Sequence, residues 1–209
     1  MVFPARSQLL PYVVLFSLTL ALTLGGILAR PIESLSLFWP VNAVLAGVLL
    51  RYPRQATPLG FALVWLAMVA ADLACGSNWQ PALWFNLCNL SVIVTVWLLL
   101  VRLPRQHRRM RSPQGVLCVF AACAAGAMVA ASMACLMSAP WFQESMRATW
   151  LAWFSEQFST CILIVPALLT APSRGVLLHG GGKPIRLAPL LVLVGSLALS
   201  IVFGGPGAI

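Results

Sequence analysis

Seven long apolar stretches, parted by short polar connections, set the pattern of the chain: Leu9–Ala29, Leu35–Leu50, Pro58–Cys75, Pro81–Leu103, Val116–Ala139, Ala148–Ala171 and Leu187–Phe203. A helix that crosses a bilayer needs ~20 mostly apolar residues to cover ~30 Å at about 1.5 Å per residue. The pattern therefore predicts an all-α fold, a polytopic transmembrane helical bundle of about seven spans. The second stretch is short and carries Pro40 near its start, so it is expected to begin inside the headgroup region. Brief connections favour antiparallel neighbours. Leu9–Ala29 follows Arg6 as a signal peptide would, but it is much longer than the ~7–15 residues of a signal core. It reads as a retained first helix.

Composition makes the same point. Of 209 residues, 61% are hydrophobic and 8% charged, against roughly 45–50% and about 25% in soluble globular proteins. Too few ionisable groups exist to coat a soluble fold, so lipid must solvate most of the surface. The net charge of +9 comes from basic residues clustered between the apolar runs. Arg6, then Arg51 and Arg54, then Arg102, Arg105, Arg108, Arg109 and Arg111, then Arg174, Lys183 and Arg186 fall on one side, with Arg30 and Arg147 on the other. By the positive-inside rule the first side, with the N-terminus, is cytoplasmic. Two connections on that side read as basic cytoplasmic loops: residues 104–115, facing anionic lipid, and the Gly-rich 172–186. Trp39, Trp79, Trp84, Trp141, Trp150 and Trp153 gather at or near the other face as an aromatic belt. Clustered charge of this kind, without an arginine and aromatic stripe, points to no nucleic acid.

Two acids are embedded in the spans, Asp72 in the third and Glu156 in the sixth. Charges in a bilayer are costly, so each is a candidate for function. Each must be protonated, hydrogen-bonded to amides or wetted by a cavity. Counted from the outer helix ends, Asp72 lies about 5 Å deep and Glu156 about 12 Å. Asn42, Asn86 and Asn89 fall in the same outer half, and Asn86 and Asn89 share a helical face. With Trp39, Trp84 and Trp153 nearby, these residues are expected to form a polar, aromatic-edged pocket that opens outward and takes a small ligand or cation. The same groups could instead bond each other and hold the helices together.

Other polar features carry less. Cys75, Cys88, Cys118, Cys123, Cys135 and Cys161 lie in apolar runs without metal or redox spacing. His107 and His179 sit in the basic loops. Ser155 and Ser159 flank Glu156, but no histidine stands at that depth to activate them. No metal, no cofactor and no catalytic set is expected. Arg51-Tyr-Pro-Arg-Gln55 and Arg102-Leu-Pro-Arg-Gln106 resemble each other, but proline and arginine after a helix end are ordinary punctuation.

Several segments in order carry a family resemblance. They are Phe38-Trp-Pro-Val-Asn-Ala-Val-Leu-Ala-Gly-Val-Leu-Leu-Arg51, the helix from Pro58 ending Ala-Asp72-Leu-Ala, Trp84-Phe-Asn-Leu-Cys-Asn-Leu90, and Trp150-Leu-Ala-Trp-Phe-Ser-Glu-Gln-Phe-Ser159 leading into Ile164-Val-Pro-Ala-Leu168. From about Leu35 to Phe203 the chain resembles the type 1 membrane-associated sensor domain of bacteria. That family is fused to cytoplasmic diguanylate cyclase (GGDEF), phosphodiesterase (EAL) or histidine kinase modules. The resemblance implies an inner-membrane input domain, with cyclic-di-GMP signalling the expected context, and assigns no binding residues. It also implies about eight spans and an output domain. Seven spans leave the C-terminus outside, so residues 1–209 are expected to be a sensor-like domain incomplete at its C-terminus, with no catalytic activity of its own.

The expected function is thus a multi-pass input module of the bacterial inner membrane. Its expected partners are membrane lipids, an unidentified small ligand from the periplasmic side, and a missing cytoplasmic output domain or signalling partner. A homodimer is compatible with this reading. The alternative is a small transporter or channel component, with Asp72 and Glu156 as its proton- or cation-linked groups.

Overall fold

The computed structural model describes residues 6–28, 39–138 and 145–171. Among them the fold is all-helical: α1 (Arg6–Leu28), α2 (Pro40–Arg51), α3 (Pro58–Ala74), α4 (Trp79–Val101), α5 (Arg105–Arg108), α6 (Pro113–Ser138) and α7 (Met146–Thr170), with a 3-10 turn at Pro53–Gln55. Four of these, α1, α4, α6 and α7, are long and apolar enough to cross a membrane. α2 has 12 residues and α3 has 17, short of the ~20 that a full crossing needs. The expected stretch Leu187–Phe203, the loop 172–186 and Trp141 lie outside the described residues.

Local chemistry explains the helix ends. Thr57, Ser112 and Ser145 each accept a hydrogen bond from the backbone N–H three residues on, at 3.1, 3.1 and 3.2 Å. Each thereby satisfies one of the donors a helix start leaves open. Pro58 and Pro113 occupy the first helical position after two of these caps, where a missing N–H costs nothing. The two similar Arg-x-Pro-Arg-Gln segments diverge: one makes the 3-10 turn, the other leads into α5. The expected basic loop 104–115 accordingly contains α5 and the opening of α6.

α2 is the centre of the bundle. Val41, Ala43, Leu45, Ala46 and Leu49 are fully enclosed, and α2 packs against α7, α4 and α1. A helix apolar all round belongs in such a place. α1 is its opposite: Leu9, Leu10, Val13 and Val14 are exposed, as a lipid-facing helix requires. α1 is tied to the α2–α3 connection by Tyr12 Oη and Thr57 Oγ1, 3.0 Å apart, and by Gln55 donating to the Pro11 carbonyl at 3.3 Å.

Small residues set how closely the helices approach. Ala122, Cys123, Ala127, Ala130, Ala131 and Ala134 of α6 are buried, and α6 packs along both α4 and α7. In lipid the hydrophobic effect does not drive helices together, so close van der Waals packing over small side chains does much of the work. Gly47 is the tightest such place in α2: a Cβ there would stand 2.6 Å from Leu168 Cδ1.

Candidate functional site

The site is built where the ends of α2, α3 and α4 meet the first half of α7. α3 closes with Gly76 at φ +88, a left-handed conformation that glycine adopts without strain. The Asp72 carbonyl accepts from Cys75 and Ser77 at 3.2 and 3.0 Å, so the chain turns over Cys75, Gly76, Ser77 and Asn78 and starts α4 at Trp79. That tight turn sets Asp72 beside Asn86, whose amide donates to the Asp72 carboxylate at 2.5 Å.

From there a chain of side-chain amides crosses the bundle. Asn86 also donates to the Ala82 carbonyl at 2.8 Å, and its own oxygen accepts from Asn89 at 3.4 Å. Asn89 Oδ1 accepts from Asn42 at 2.8 Å, and the same Asn42 nitrogen donates to Gln157 Oε1 at 2.9 Å. Asp72, Asn86, Asn89, Asn42 and Gln157 thus link α3, α4, α2 and α7 in one layer. Asn42, Asn86, Asn89 and Gln157 are all buried. Each bond of this type contributes about 0.6 kcal/mol on average within membranes. Leaving such a group unpaired costs more. Asn42 Oδ1 and the indole nitrogen of Trp153 are among the buried polar atoms with no hydrogen-bond partner.

Beside the amide chain lies a cavity of about 270 Å³, lined by Trp39, Asp72, Ser77, Asn78, Pro81, Ala82, Phe85, Asn89, Trp153 and Glu156. Ser77 and Asn78 are exposed on the α3–α4 turn, whereas Trp39, Trp153 and Glu156 are buried. Trp153, Glu156 and Gln157 are spaced three and four apart, on one face of α7. Phe85 and Trp153 stack with ring centroids 5.5 Å apart, forming an aromatic wall.

Of the residues singled out in the sequence, Trp39, Asp72, Asn89, Trp153 and Glu156 line the cavity. Asn42 and Asn86 sit behind its wall in the amide chain. Trp84 does not line the cavity: its indole donates to the Met133 carbonyl at 3.1 Å, and it packs behind the aromatic wall in an apolar cluster that includes Phe85 and Trp153 with Cys88, Ala131 and Ala134. Gln157 and Phe85 were missed. Gln157 was legible as the neighbour of Glu156, one position deeper, whereas Phe85 looked like any apolar residue of its span. Among the described residues no three His, Cys, Asp or Glu side chains come together as a metal site.

No family model and no solved structure matches the chain. A probable diguanylate cyclase of Escherichia coli O157:H7, DgcF, is 35% identical to it over 198 residues, covering 94% of this chain and 41% of that protein. The chain is similar to a diguanylate cyclase. DgcF of Escherichia coli strain K12 is 46% identical over 57 residues, covering 27% of this chain and 18% of that protein. The chain therefore spans less than half the length of the curated relatives it matches. Four apolar helices together with this similarity point to residence in a membrane.

Proposed function

We propose that the chain is the membrane-embedded input region of a cyclic-di-GMP signalling protein, of the type 1 membrane-associated sensor kind. It sits in the bacterial inner membrane with about seven spans, a cytoplasmic N-terminus and the cavity facing the periplasm. Occupancy of the cavity shifts the packing of α2 against α4 and α7, and an output domain beyond these residues reports the shift. The carrying observation is the similarity to DgcF along 94% of this chain and 41% of the relative. It falls on a stretch with four helices apolar enough to cross a membrane. The cyclase similarity favours signalling over the transporter alternative.

A chimaera tests this. The 209 residues replace the matching region of the O157:H7 relative, and cyclic-di-GMP is measured in cells at equal membrane levels of protein. The expected result is a membrane-bound, active chimaera whose output changes several-fold in Asp72→Asn or Glu156→Gln. Output indifferent to both substitutions, and to deletion of the whole membrane region, overturns the reading.

A further inference from the structure

We propose that the cavity binds a small organic ammonium ion that carries a hydrogen-bond acceptor, as a hydroxylated amine does. The proposal rests on the signalling reading for the side from which the ligand arrives and for the consequence of binding.

Charge is the first argument. Asp72 and Glu156 both stand in the wall, and among the described residues that line it there is no Lys, Arg or His. Two carboxylates in a low-dielectric site repel anions and attract a cation. Asp72 is held in place by the Asn86 amide, and Glu156 lies on a buried helix face.

The aromatic wall narrows the class. Trp39, Phe85 and Trp153 line the same space, the last two stacked. Aromatic faces attract ammonium groups, and tryptophan is the best of them. A hydrated inorganic cation wants oxygen ligands all round and gains little from three aromatic rings. An alkylammonium uses both the rings and the carboxylates.

Trp153 supplies the third argument. It is only 5% exposed, lines the cavity, and its indole N–H has no hydrogen-bond partner. Buried indole donors usually find an acceptor, and a ligand hydroxyl or carbonyl oxygen would provide it. Size sets the limit. At about 270 Å³ the space falls below the ~300–1,000 Å³ of pockets that enclose drug-sized ligands. The ligand is therefore a small amine rather than a peptide or nucleotide.

The test uses the full chain in nanodiscs and isothermal titration with choline, ethanolamine and 3,3-dimethyl-1-butanol, the uncharged isostere of choline. Saturable binding of at least one ammonium, with the isostere at least ten-fold weaker, is expected. Glu156→Gln weakens the ammonium at least ten-fold, and Trp153→Phe, which keeps a ring and removes the N–H, weakens it several-fold. Circular dichroism shows that each variant is folded. Equal affinity for choline and its isostere, or no saturable ammonium binding by the folded wild-type chain, overturns the proposal. Output from the chimaera that responds to Glu156→Gln, without ammonium binding, sinks this inference and leaves the signalling reading standing. Ammonium binding with an unresponsive output does the reverse.

Discussion

Arg51, the last residue of α2, donates from one guanidinium nitrogen to the carbonyl of Ala171 at 2.7 Å and to that of Leu168 at 3.0 Å. Both acceptors belong to the end of α7, where a helix runs out of its own N–H partners. The Leu168 carbonyl would ordinarily accept from residue 172, which is Pro172 and has no N–H. Arg51 thus supplies what the sequence of α7 withholds. Near the opposite end of α2, Asn42 holds Gln157, midway along α7. α2 is therefore fastened to α7 near both of its own ends, at Asn42 next to the cavity and at Arg51 against the last turn of α7.

Replacing Arg51 with Gln should fray the end of α7. A cation at a helix C-terminus contributes about 0.3–1 kcal/mol when exposed, and the Ala171 bond is exposed, so a stability loss near the lower end is expected. The sharper readout is hydrogen exchange. Amides from Leu168 to Ala171 should exchange several-fold faster, while those around Asn42 stay unchanged. Unaltered exchange in that last turn would show that Arg51 does not cap it.

Asn42→Leu removes both amide donations and strands the oxygens of Asn89 and Gln157 in a buried layer. Each buried acceptor left unpaired costs about 1–3 kcal/mol. The loss should appear in unfolding of the reconstituted protein by denaturing detergent. The double variant Asn42→Leu with Gln157→Leu should recover part of it, because removing both partners is often close to neutral. A double variant worse than the sum of the two singles would mean that these groups do not act as a pair.

The amide layer was legible because depth can be counted from helix ends, and the turn at Gly76–Asn78 is tight enough to keep that count true. Angle was harder to read. Trp84 has the right depth for the cavity, but it points toward α6 and Met133, while Phe85, one residue and about 100° further round the helix, meets the cavity. Depth says nothing of that rotation. Only the packing of α4 against α6 decides it. Helix α5 was hidden for another reason: a four-residue turn among arginines has no apolar period to betray it. The centrality of α2 follows from its length, because a 12-residue helix of roughly 18 Å must be sheltered by longer neighbours.

Orientation can be checked with reporter fusions. Arg105 and Arg108 lie in α5 and Arg102, Arg109 and Arg111 flank it, and such a cluster is retained on the cytoplasmic side. Alkaline phosphatase fused after Arg109 should be inactive, and fused after Asn78, on the exposed α3–α4 turn, active. The opposite pattern would invert the topology and put the cavity on the cytoplasmic face.

Gly47 offers the most direct test of the α2–α7 packing. A Cβ at this position would lie 2.6 Å from Leu168 Cδ1 and 2.9 Å from Leu168 Cβ. The second of these atoms sits next to the backbone, so swinging the side chain away does not relieve the overlap. Gly47→Ala must push α7 outward, and overpacking of this kind typically costs about 1–3 kcal/mol. Helix propensity works the other way, since alanine is favoured over glycine by roughly 0.8–1.0 kcal/mol in a helix interior. The steric cost is expected to win, giving a net destabilisation that Leu168→Ala partly relieves in the double variant. The same displacement should move Arg51 away from the Leu168 and Ala171 carbonyls, so Gly47→Ala should also speed exchange at the end of α7. If Gly47→Ala instead stabilises the chain, the helices have room that the structure does not give them, and the close α2–α7 approach is wrong.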